Sequence, residues 1–91
     1  MAHLDIANRL AIYGYKGEID DFDELLADEW WRHYAAKFRT VENMLHSPTE
    51  ALKYVETIRL RAEVADLLED EILLRLTNIR KSQFLAASRP D

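Results

Sequence analysis

No cysteine occurs in the 91 residues. Disulfides, thiolate metal sites and a cysteine nucleophile are thereby excluded, and the lack of thiols fits a reducing compartment. No apolar run approaches the ~20 residues that span a bilayer, so a membrane is not an expected partner. The opening residues, Met1-Ala2-His3-Leu4-Asp5, contain no basic stretch followed by an apolar one. A signal peptide is therefore not expected, and the expected location is cytoplasmic. An excess of basic residues is missing as well: 12 Lys and Arg stand against 17 Asp and Glu, for a net charge of −5. Proteins that grip phosphate backbones carry a basic footprint, so this balance disfavours nucleic acid. A Gly-rich phosphate loop, zinc spacings and a Ser-His-Asp arrangement are also lacking.

What is present reads as one globular helical domain. Hydrophobic residues make up 48% and charged residues 32%, a balance that disordered chains do not reach. A chain of this length supports a single thin core. Only two glycines and two prolines occur, and they act as punctuation. Gly14 and Gly17 fall together, Pro48 follows Ser47, and Pro90 lies at the tail.

Between these marks the spacing predicts three helices. The first runs from about 4 to 13, with Leu4, Ala7, Leu10 and Ala11 on one side. Asp5 and Arg9 are spaced to pair across one turn, and Gly14 stops the helix. The second runs from about 21 to 45. Asp21 and Glu24 approximate a capping box, and Phe22, Leu26, Trp30, Tyr34, Phe38, Val41, Met44 and Leu45 share one half of its circumference. The third runs from about 48 to 84, started by Ser47-Pro48-Thr49-Glu50, with residues 86–91 as a frayed tail. A join of one to three residues makes helices two and three antiparallel neighbours. The expected fold is all-α: an antiparallel helical hairpin with a long C-terminal helix, and a short N-terminal helix folded onto it.

The third helix carries apolar residues on two sides. One stripe is Ala51, Val55, Ile58, Ala62, Ala65, Ile72, Leu76 and Ile79, suited to helix two. The other is Leu60, Val64, Leu67 and Leu74, with Leu68 at its edge. Each leucine-sized side chain left in water forfeits about 1.5–3 kcal/mol. The first helix reaches only about 15 Å, too short to cover the second stripe. The expectation is a companion: a second copy, giving a dimeric bundle, or another protein's helix. Its contact residues would be Leu60, Val64, Leu67 and Leu74, with Phe84 beyond the reach of helix two. Trp31, in the aromatic cluster of helix two and at the edge of its apolar arc, would be a partly exposed anchor.

Two acidic runs complete the inventory. The first holds Asp20, Asp21, Asp23, Glu24, Asp28 and Glu29; the second holds Glu63, Asp66, Glu69, Asp70 and Glu71. In an antiparallel hairpin, residues 23–29 would face 65–71. Asp66 and Asp70 then join the first run in one negative patch, able to meet a basic protein surface or a hard cation. The plainer reading is acid favoured at helix N-termini plus a solvated face. Glu69 and Glu71 interrupt the apolar stripes, and Glu71 is spaced to pair with Arg75. His33 and His46 each follow a glutamate by four residues, one more than the Glu-x-x-His spacing of carboxylate di-iron bundles. No catalytic, cofactor-binding or metal-ligating residue is assigned. The function expected is a non-enzymatic protein–protein interaction module: an adaptor, an assembly component of phage-like type, or a regulator. The alternatives are an acidic inhibitor of a basic nucleic-acid-binding surface and a carboxylate/histidine metal bundle.

Overall fold

Every regular element among the described residues is an α-helix, but the helices are shorter and more numerous than the spacing predicts. The computed structural model describes residues 6–90. The seven helices are α1 (Ile6–Ile12), α2 (Ile19–His33), α3 (Ala35–Phe38), α4 (Val41–Leu45), α5 (Pro48–Ala62), α6 (Glu69–Lys81) and α7 (Phe84–Ala87). The expected start at Leu4 and the Asp5–Arg9 pair lie outside the described residues.

Two boundaries fall where glycine and proline put them. Gly14, at φ +91°, closes α1. Its N–H donates to the Ala11 carbonyl at 3.1 Å, and Tyr15 N–H donates to Leu10 at 2.8 Å. These two bonds form a Schellman motif, which satisfies carbonyls that the helix end leaves open. Pro48 occupies the first turn of α5, after Ser47. Glu50 does not close the expected capping box; it lies 3.4 Å from Lys37 Nζ and 3.5 Å from Lys53 Nζ.

The predicted second helix is three helices. Tyr34 ends α2 at φ −126°, and Arg39 ends α3 at φ +68°. Thr40 N–H donates to the Phe38 carbonyl at 2.8 Å across Arg39, a three-residue turn of the strained, positive-φ kind. Thr40 then caps α4, accepting from Asn43 N–H at 3.1 Å, and the Asn43 amide donates to Phe38 O at 2.8 Å.

The predicted third helix breaks at Glu63, and this is the correction with the widest consequences. Glu63 sits in the left-handed region at φ 57°, ψ 43°. Its N–H donates to Leu60 O at 3.3 Å, and Val64 N–H donates to Arg59 O at 3.0 Å. This is the same motif that closes α1, with glutamate where glycine stood. The chain turns through residues 63–68 and restarts at α6. Arg59 braces the turn from α5, its Nε donating to Leu67 O at 2.8 Å. Gln83, at φ +70°, likewise has positive φ and separates α6 from α7. Residues 84–87 are helical, not part of a frayed tail.

Left-handed backbone costs a side-chain-bearing residue roughly 1–2 kcal/mol, whereas glycine adopts it freely. Glycine also loosens the unfolded chain, which returns part of that gain. Glu63→Gly and Arg39→Gly are each expected to raise stability by about 0.5–1 kcal/mol, read as a higher urea midpoint with unchanged slope. A lowered midpoint would contradict these backbone conformations.

The core gathers one side of nearly every helix. Phe22, Leu26 and Trp30 of α2 meet Tyr54, Val55 and Ile58 of α5 and Ile72, Leu76 and Ile79 of α6. Val41 and Met44 of α4, Leu10 of α1 and Leu85 of α7 close the ends. The first apolar stripe is therefore core, apart from Ala65, which is exposed in the turn. Tyr54 Oη, fully buried, donates to Leu26 O at 2.7 Å, and burial raises its pKa well above the usual tyrosine value. The radius of gyration is 12.5 Å, close to the ~12 Å expected of a compact chain this long.

Candidate functional site

The carboxylates of α2 divide into those taken up by arginines and those left in water. Arg75 of α6 donates to both oxygens of buried Asp23, at 2.6 Å from Nε and 2.6 Å from Nη2. Arg61 of α5 donates to buried Glu29 and to Asp28, at 2.9 Å each. Asp28 also accepts from Arg32 Nε at 2.8 Å. That bond, reinforced by Arg61, lowers the Asp28 pKa below the usual carboxylate value. Asp21 accepts from Glu18 N–H at the start of α2. Asp20 and Glu24 are exposed.

The single negative patch expected from two facing acidic runs is thus corrected on the α2 side. Arg61 and Arg75 flank the second run in sequence, and they neutralise Asp23, Asp28 and Glu29 of the first. Glu71 pairs with Arg9 of α1, not with Arg75 one turn away. None of these pairs follows from helical spacing: Arg61 with Glu29, Arg61 with Asp28 and Arg75 with Asp23 join residues 32, 33 and 52 positions apart, and Arg9 with Glu71 joins α1 to α6.

A different surface retains its charge. The turn between α5 and α6 and the first turn of α6 carry Glu63, Asp66, Glu69 and Asp70, all exposed. None of the four makes an ion pair among the described residues. Exposed leucines border them: Leu60, 81% exposed, in the last turn of α5; Leu68, 50%, just before α6; and Leu74, 62%, one turn after Asp70. A shallow depression of about 350 Å³ lies against Leu60, lined by Glu56, Arg59, Leu60, Glu63 and Ala65. The Arg59 guanidinium is occupied by Glu56 at 2.9 Å and by the Leu67 carbonyl.

The turn also splits the expected interface stripe. Val64 and Leu67 are buried in the protein's own core, at 1% and 0% exposure. They are not available to a companion. Leu60 and Leu74 remain on the outside, as the spacing predicts. Leu68, read only as an edge residue, joins them.

Trp31 and Phe84 serve the fold from within. Trp31 is half-buried; its indole N–H donates to Leu85 O at 2.9 Å, and the Arg89 guanidinium lies 5.6 Å from its ring centroid. Phe84 is half-buried against the core. Trp30 is buried, as its place in the apolar arc predicts. His33 and His46 are exposed, and Glu29, the acid four residues before His33, is turned into the Arg61 pair. Among the described residues no three His, Asp or Glu side chains converge on a point that could hold a metal ion. No described helix is long and apolar enough to cross a membrane. The chain matches no family model, no curated protein and no solved structure at a significant level.

Proposed function

We propose that this protein is a non-enzymatic helical interaction module whose contact surface is the corner between α5 and α6. The observation that carries the reading is Leu60, 81% exposed on the outer side of α5 while the apolar residues around it in sequence, Ile58, Ala62 and Val64, are buried. Leu68 and Leu74 extend the same wet apolar character across the turn. Single exposed leucines are ordinary on a protein surface. Three of them on either side of one turn, with Leu60 lining a depression, suit an anchor for another chain.

Self-association is the second form of this reading, and it has lost much of its support. The sequence argument for a dimer is that Leu60, Val64, Leu67 and Leu74 need cover, and two of the four, Val64 and Leu67, are covered from within. A twofold contact through the corner would also bring Glu63, Asp66, Glu69 and Asp70 of two copies face to face. The acidic-inhibitor reading shifts its ground too, from α2, where three carboxylates are consumed, to the corner. The metal reading has no convergent ligand set among the described residues to rest on.

Photo-crosslinking tests the surface. A photoreactive residue at Leu60 or at Leu74 is expected to give the same discrete adduct in native lysate. The same residue at exposed His46, about 20 Å away along α5, is expected to give none. Adducts equally abundant from all three positions would remove the corner as the contact surface. Sedimentation equilibrium separates the two forms, since an adduct of twice the chain mass from a dimer in solution would identify a second copy.

A further inference from the structure

We infer that the α5–α6 corner receives a basic amphipathic segment of a partner protein, with apolar side chains set against Leu60, Leu68 and Leu74 and lysines or arginines against the carboxylates around them. The inference rests on the corner being the contact surface and adds the chemistry of what it contacts.

Charge decides the occupant. Glu63, Asp66, Glu69 and Asp70 are exposed within eight consecutive residues that contain no basic side chain. The arginines nearest in sequence make no ion pair with them, and each is engaged elsewhere. Arg59 holds Glu56 and the Leu67 carbonyl, Arg61 holds Asp28 and Glu29, and Arg75 holds Asp23. The arginines of α5 and α6 thus serve Asp23, Asp28 and Glu29, and two acidic clusters are left without ion pairs among the described residues: the start of α2, with Glu18, Asp20, Asp21 and Glu24, and the corner, which differs in having the exposed leucines Leu60, Leu68 and Leu74 beside it in sequence.

Other occupants fit poorly. A phosphate backbone or an anionic lipid surface would be repelled. A second copy would meet its own negative charge, since a twofold contact is made by the same patch on both sides. A neutral apolar helix would bury the leucines but would strip water from carboxylates without replacing it. A basic amphipathic helix satisfies both sets of groups, with its apolar face as anchor and its cations steering the approach.

The test uses two labelled synthetic peptides of about 18 residues with leucines at helical spacing, one with lysines on the polar face and one with glutamates. Binding to the full chain is followed by fluorescence anisotropy. The lysine peptide is expected to bind, with affinity that falls steeply as salt is added, and the glutamate peptide is not. Asp66→Lys with Asp70→Lys is expected to raise Kd about tenfold, as two attractive contacts become repulsive. The milder Asp66→Asn with Asp70→Asn, which leaves the start of α6 less disturbed, is expected to raise it about threefold. Asp20→Lys with Glu24→Lys makes the same change in net charge at the start of another helix and is expected to change Kd less than twofold. Leu60→Ser is expected to weaken binding about tenfold as well. Equal losses from the two charge-reversal pairs would overturn the inference, because net charge alone would then explain binding. So would an intact chain that ignores the lysine peptide. In that case a discrete Leu60 crosslink would still uphold the interaction module with a partner of other chemistry. Loss of both results would remove the module reading itself.

Discussion

Asp23→Asn is expected to lower the unfolding free energy by about 3 kcal/mol, one of the larger effects that a single polar substitution in this chain can have. Asp23 is 4% exposed on α2, and both of its carboxylate oxygens accept from Arg75 on α6. The two bonds are parallel and short, the fork-to-fork geometry in which arginine binds a carboxylate most strongly. Breaking a buried pair typically costs about 3–5 kcal/mol, because the surviving charge keeps its desolvation penalty without its partner. The low end applies here, since the Arg75 side chain is a quarter exposed and water can reach part of it. The double substitution Asp23→Leu with Arg75→Met removes both charges while filling similar space. It is expected to recover most of the loss. Urea unfolding of the wild type, Asp23→Leu, Arg75→Met and the double gives the coupling directly. An Asp23→Asn variant within about 0.5 kcal/mol of wild type would mean that the pair does not tie α2 to α6.

The same pair marks what sequence spacing can and cannot reveal about this protein. Periodicity locates the apolar side of each segment, so Phe22, Leu26, Trp30, Ile58, Ile72 and Leu76 are legible as core. One-turn spacing is a weaker guide to ion pairs: Arg32 and Asp28 are so spaced and do pair, whereas Glu71, spaced to pair with Arg75, pairs with Arg9 instead. The pairs that organise the fold join distant segments, as Arg75 does with Asp23 and Arg61 with Glu29. Nothing within a single helix announces them. The two acidic runs therefore look equivalent in sequence, although three carboxylates of the first are paired with arginines and only Glu71 of the second is.

Helix ends show a parallel division. Gly14 and Glu63 make the same backbone motif with the same two hydrogen bonds. The first is readable because glycine is the residue that tolerates left-handed backbone. The second is invisible, because a glutamate in a run of good helix formers gives no reason to stop. Tertiary packing overrides local preference there: the turn places Val64 and Leu67 in the core, and burying two such side chains is worth about 1.5–3 kcal/mol each. That exceeds the roughly 1–2 kcal/mol cost of one left-handed residue. Missing this stop made the apolar residues of α5 and α6 look like one stripe too many. Of that stripe, the exposed half, Leu60 and Leu74, was placed correctly by spacing.

Lysine at Leu67 and lysine at Leu60 are therefore expected to give opposite results, although an unbroken helix would put both residues on one side. Leu67 is fully enclosed. Leu67→Lys removes its packing and forces a charge into a space without a partner, at a cost of about 5 kcal/mol or more. That is comparable with the whole stability of a small domain, so the helical circular dichroism signal is expected to collapse. Leu67→Ala gives a graded version, a loss of about 2–5 kcal/mol with the fold retained in water. Leu60→Lys replaces a side chain that is 81% exposed, and its effect on stability is expected to stay within about 0.5 kcal/mol. The same Leu60→Lys chain should nevertheless lose the lysine peptide, since a cation then stands where the partner's apolar anchor would sit. Stability and binding thus separate at two residues seven positions apart, because the turn at Glu63 sends one into the core and leaves the other outside. If the two substitutions destabilised the chain alike, α5 and α6 would have to be continuous, and the corner on which the functional proposal depends would not exist.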